Sequence, residues 1–185
     1  MVVYTPLEFR VSNCRKLKRI RKVVTVPSVL RSANLTGLHP YTKYNVSLSG
    51  VTVKPGPEHS TTLYTEATVP ERAPENVKIG RTTGTSSSLA WSEVPCEFAN
   101  GPNLFYYLEL ESRDMWDQKH RNRTTTASSF TYNDLVPYTR YQVKVFAQND
   151  AGRLPHFSPL DFITAPEGET YSHTVRTSNT FSTFS

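Results

Sequence analysis

LVPYTRYQV, residues 135–143, decides the fold, because the chain has already said nearly the same thing as LHPYTKYNV at residues 38–46. The second phrase begins 97 residues after the first, about the length of one β-sandwich domain and well beyond the roughly 20 to 50 residues of a solenoid repeat. The offset implies duplicated domains in a chain of 185 residues. In each phrase a proline, Pro40 or Pro137, presets a bend before a strand. In the second, Tyr141, Val143 and Val145 then alternate with Gln142 and Lys144, the period of a half-buried strand.

Outward from residues 135–143 the same period recurs in short runs separated by turn residues. Val77 and Ile79 share a face, as do Leu89 and Trp91, and as do Tyr106, Leu108 and Leu110. A turn cluster at residues 95–102 contains Asn100-Gly101, residues 112–126 are polar and basic, and Asp161-Phe-Ile-Thr164 closes the series. Seven short strands over about 95 residues, with no sustained helical period, predict an all-β immunoglobulin-like sandwich.

The first copy starts late. Leu38 lies so much closer to Met1 than Leu135 lies to Ala73 that about two strands are missing from its front. The counterpart of Trp91 is absent with them. Strands are expected at residues 7–11, 23–26, 44–53 and 61–68, and such a half-sandwich cannot cover its own inner face. Met1 reads as a truncation point. The join at residues 67–75 carries Pro70 and Pro74, as a short stiff linker would. Residues 166–185, rich in Ser and Thr, read as a disordered tail or a truncated further domain.

On these residues the chain resembles the fibronectin type III family. LVPYTRYQVKVFAQNDAG is similar to the strand F region of that family, SSSLAWSEV to strand B with its Trp, and VPERAPENVKI to the opening of a domain after its linker. The resemblance implies tandem all-β sandwiches: residues 1–69 a partial domain lacking strands A and B, and residues 70–165 a complete one. It implies that Tyr44 and Tyr141 are tyrosine-corner residues, with Leu38, Leu135 and Trp91 in the core. The PCEFANGP loop and the Tyr-rich strand after it are also similar to ectodomain segments of receptor-type tyrosine phosphatases, invertebrate ones in particular, and of cell-adhesion molecules. The function so implied is a non-catalytic extracellular spacer and binding segment at the plasma membrane, belonging to a larger protein. An intracellular structural array is the alternative.

The residues themselves give catalysis no support. His39, His59, His120, His156 and His173 are scattered without metal-ligand spacing, and no nucleophile elbow or phosphate-cradling loop occurs. A phosphatase loop needs His directly before its Cys, whereas Cys14 follows Asn13. No cofactor or metal is expected. No run approaches the roughly 18 apolar residues of a membrane span, and the first ten residues carry no export signal. Cys14 and Cys96, falling in different copies, read as free thiols or as paired to something absent rather than to each other.

One stretch carries the charge. RKLKRIRK, residues 15–22, places Arg15, Lys16, Lys18, Arg19, Arg21 and Lys22 around two apolar residues, in a chain whose net charge is +5. Clustered cations suit a sulfated glycan, and Lys119 to Arg123 repeat the basic character in the second copy. The plain reading is an edge strand kept soluble by charge. Nucleic acid is not expected, since the aromatics alternate into the core instead of interleaving with this run; a protein ligand or a sulfated glycan is. Sequons at Asn34, Asn45 and Asn122 offer N-glycosylation sites on outward positions.

Overall fold

The computed structural model describes residues 1–11, 14, 20–117 and 120–172. Its strands are β1 (Val2–Phe9), β2 (Lys22–Val24), β3 (Thr42–Val51), β4 (Pro55–Tyr64), β5 (Glu75–Thr83), β6 (Ser87–Ser92), β7 (Phe105–Ser112), β8 (Arg121–Thr125), β9 (Ser129–Tyr132), β10 (Arg140–Asn149), β11 (Gly152–Arg153), β12 (Ser158–Ile163) and β13 (Thr170–Ser172). One short 3₁₀ turn, Cys96–Phe98, is the helical element among the described residues. The fold is all-β, as expected.

Two compact units divide the chain. Residues 73–93, 105–146 and 156 onward form one. In it, β5, β6 and β9 carry Ile79, Leu89, Trp91 and Tyr132 inward, while β7, β10 and β12 bring Tyr106, Leu108, Leu110, Tyr141, Val143, Val145 and Phe162. Trp91 meets Tyr106 edge-on across the two sheets, with centroids 5.2 Å apart, a geometry that suits the ring quadrupoles. Period-two sequence thus becomes two apolar faces closed on each other.

Residues 1–72, 94–104 and 147–155 form the other unit. Its sheet runs β2-β1-β3-β4, all antiparallel. Residues 32–35, which correspond by offset to β9, form no strand. Strands A and B are expected to be missing there, and residues 32–35 leave out strand E too; in the second copy its counterpart β9 pairs with β6, which has no equivalent among the described residues of this unit.

All four expected strand ranges shift, the first and last the furthest. The first begins at Val2, since Val2, Val3 and Tyr4 suit a strand and are buried. The last runs through Pro55 and Pro57 instead of starting at Thr61, which an edge strand tolerates because its outer N–H groups need no partner. The expected tail also changes. Residues 170–172 are the strand β13, antiparallel to the edge of β5 with Thr170 opposite Thr83. A sheet edge left unpaired attracts such a strand; residues 173–185 lie outside the described residues.

Candidate functional site

The repeated phrase builds the same hydrogen-bonded corner twice. The Tyr44 hydroxyl accepts from the backbone N–H of His39 at 2.7 Å, and that of Tyr141 from Val136 at 3.0 Å. Thr42 and Thr139 are fully buried, and each hydroxyl donates to the carbonyl of the preceding proline, Pro40 or Pro137, at 2.8 and 2.9 Å. Their backbone N–H groups donate to the hydroxyls of Thr65 and Thr164, at 2.8 and 2.9 Å. Those hydroxyls donate in turn to the carbonyls of His39 and Val136, both at 2.7 Å. Residues 39 and 136 are thereby satisfied on both backbone groups, as a bend with no ladder partner requires. Sequence reasoning found the tyrosines and missed the threonines, although Thr42 and Thr139 stand inside the repeated phrase.

The second corner adds an ion pair. Asp117 and Arg121 are buried and meet at 2.9 Å, and the Tyr141 hydroxyl donates to the same Asp117 carboxylate at 2.5 Å. Burial, and then the hydrogen bond to Asp117, push the Tyr141 phenol up to about 12. Burial raises Tyr44 too, against the opposing pull of the His39 N–H. Burial also raises Tyr132. None of these phenols is poised for proton transfer at neutral pH.

A polar knot holds the stretch read as a linker. The buried Asn149 side chain donates to the carbonyls of Thr68 and Ala99, both at 2.7 Å, and accepts from the N–H of Ala151. Thr68 and Glu71 donate from the backbone to Asn100 and Phe98, and the Asn100 side chain reaches Val69. Gly101 must be glycine, because a Cβ there would stand 2.5 Å from the Asn149 amide nitrogen. Beside this knot the expectation of unpaired cysteines is overturned: Cys14 and Cys96 form a disulfide, with Cα atoms 5.5 Å apart. Assigning the cysteines to separate copies misled, because residues 94–104 pack in the same compact unit as residues 1–72. Such a bridge typically stabilises by about 2–4 kcal/mol, chiefly by restricting the unfolded chain.

Of the expected glycan-binding cations, Arg15, Lys16, Lys18 and Arg19 lie outside the described residues. Arg21 is exposed. Lys22 is exposed on β2, but its ammonium donates to the Gly37 carbonyl at 3.0 Å beside a mostly apolar pocket lined by Tyr4, Pro6 and Tyr44. In the second copy β8 lies beside β7 as β2 lies beside β1. Arg121, however, is withdrawn into its ion pair, leaving His120 and Arg123 exposed. Asn34 and Asn122 are exposed, whereas Asn45 is half-buried on the central strand β3 between Thr5 and Thr62.

An antiparallel two-sheet sandwich closed over a tryptophan and pinned by a tyrosine corner defines an immunoglobulin-like module. Residues 72–162 match the fibronectin type III domain model, and that segment is a fibronectin type III domain. Phosphatidylinositol phosphatase PTPRQ of Homo sapiens is 32% identical over 133 residues, covering 72% of this chain and 5% of that protein. The sidekick homologue of Caenorhabditis briggsae is 30% identical, covering 75% and 7%, and contactin-5 of Rattus norvegicus is 31% identical, covering 80% and 14%. The chain therefore spans a small part of these relatives. They include both classes the sequence resembled, a receptor phosphatase and adhesion molecules. Domains d3–d4 of the rat CD45 extracellular region share the fold, with a TM-score of 0.64 at 23% identity over 80% of this chain and 79% of that one. The fibronectin type III domain is a non-catalytic module.

Proposed function

We propose that the chain is an extracellular spacer and binding segment of a larger receptor or adhesion protein. Its residues 1–69 form an incomplete fibronectin type III domain and residues 70–165 a complete one. Any phosphatase activity of such a parent would reside in another domain. The observation that carries the reading is the Cys14–Cys96 disulfide, because structural disulfides persist in oxidising compartments and are rare in the cytosol. The relatives among receptor and adhesion proteins point the same way.

Intact mass with and without thiol alkylation, on protein taken from native cells, tests this reading. A chain with no alkylatable thiol and with glycan at Asn34 or Asn122 is expected. Two free thiols and no glycan at any sequon would instead indicate an intracellular array.

Within that role the basic run at residues 15–22 is the proposed contact for a sulfated glycan. Its charge is local, since the rest of the chain is close to neutral. Changing Arg15, Lys18 and Arg19 to Glu should lower the salt needed to elute the chain from heparin, and equal elution salt would refute the contact.

A further inference from the structure

The two corners share their phenol, their cation and a carbonyl, and differ in a carboxylate. In the second, the Tyr141 hydroxyl accepts from the Val136 N–H and donates to Asp117, whose carboxylate also pairs with Arg121. The Arg121 guanidinium reaches on to the Asp134 carbonyl at 3.3 Å. In the first, Tyr44 stands for Tyr141 and accepts from His39. Lys22 stands for Arg121, because its ammonium donates to the carbonyl of Gly37, the residue 97 positions before Asp134. Nothing stands for Asp117: residues 9–57 hold ten Lys and Arg and not one Asp or Glu.

Where phenol and ammonium meet, a cleft of about 220 Å³ is lined by Tyr4, Ile20, Lys22, Gly37, His39 and Tyr44, and no acidic residue is among the described lining. Tyr44 is 2% exposed, and among the described residues its hydroxyl proton has no acceptor. Lys22 carries three donors and spends one on Gly37. No described carboxylate lies within ion-pair distance of it. A buried hydroxyl donor and a cation thus border an otherwise apolar cleft, where a carboxylate would regain the charge-assisted bonds that Asp117 makes in the second copy.

We propose that this cleft binds a uronate carboxylate of a sulfated glycan whose sulfates are held by the basic run. The acid-free stretch selects a polyanion. The Asp117 precedent selects a carboxylate for the cleft itself, and a sulfated uronate chain carries both groups. A volume below the roughly 300 Å³ of a drug-sized site suits one such group rather than a whole ligand. The proposal rests on the glycan reading of residues 15–22 and names the ligand group that the first corner recognises.

The test compares binding of the whole chain to heparin and to carboxyl-reduced heparin, which keeps its sulfates but has its uronate carboxylates converted to alcohols. Heparin should bind about tenfold more tightly. In Lys22→Gln and in Tyr44→Phe that preference should fall to about twofold or less, with Tyr44→Phe assayed well below its melting temperature because it also loses the His39 bond. Arg21→Gln, at an exposed cation outside the cleft, should weaken both polymers alike and keep the preference, which separates the cleft from a general loss of charge. Equal binding of the two polymers by the unaltered chain, or a preference that survives Lys22→Gln and Tyr44→Phe, would overturn the proposal and leave the glycan contact standing. Failure of both polymers to bind would overturn the glycan reading and the proposal together. Binding of poly-glutamate that depends on Lys22 and Tyr44, in a chain indifferent to the heparin carboxylates, would overturn the proposal by assigning the cleft to an acidic protein.

Discussion

β3 and β10 carry the same phrase, fold into the same corner and end in opposite circumstances. On β10 the inward residues Tyr141, Val143 and Val145 are all fully buried. At the same offsets on β3, Tyr44 is buried, Val46 is half-buried and Leu48 is 55% exposed. Leu135 is buried and Leu38 only half-buried. The difference does not lie in the strands. It lies in β5, β6 and β9, which cover β10 with Trp91 and its neighbours and have no equivalent over β3 among the described residues. A corner is a local device that backbone hydrogen bonds complete by themselves, whereas a core needs a second sheet.

The comparison should break most sharply at the cover. Trp91→Ala, which opens a cavity between two sheets, should destabilise the second unit by about 3–5 kcal/mol in urea denaturation. Leu48→Ala on the uncovered face should change stability by no more than about 0.5 kcal/mol. Next come the corner tyrosines. Tyr141→Phe strands the Val136 N–H and removes a donor from the buried Asp117–Arg121 pair, at about 2–3 kcal/mol; Tyr44→Phe loses one neutral hydrogen bond, at about 1 kcal/mol. The threonines should then behave alike, because their bonds match in both copies: Thr65→Val and Thr164→Val should each cost about 1 kcal/mol.

A further effect is confined to alkaline pH. Because the folded-state value of Tyr141 lies near 12, above its ordinary 10.0, the folded chain holds this proton more tightly than the unfolded one. The resulting stability is complete below pH 10 and is lost as pH rises towards 12. Denaturation midpoints measured from pH 9 to 12 should fall across that window, and fall less in Tyr141→Phe.

Where period and turn chemistry act locally, the residues announce the structure. The strands β5, β6, β7, β10 and β12, the two corner tyrosines and Trp91 were legible from alternation and from the repeat. What stayed hidden depends on distant partners. Cys14 and Cys96 become neighbours only when residues 94–104 join the first unit. Arg121 looked like one more exposed cation in a basic stretch; Asp117, four residues earlier, draws it inside. The role of Asn149 emerges only from the carbonyls of Thr68 and Ala99 that it ties together. β13 needed the open edge of β5 to become a strand.

Hydrogen exchange at the two matched strands tests the central claim most directly. Amides on β10, from Tyr141 to Val145, should open only with the cooperative unfolding of a covered core. Those from Tyr44 to Leu48 on β3 should exchange at least about 100-fold faster, through local opening of an uncovered sheet. Equal protection of the two strands would contradict the account, because a sheet with no second sheet over its inner face would then be as stable as a closed sandwich.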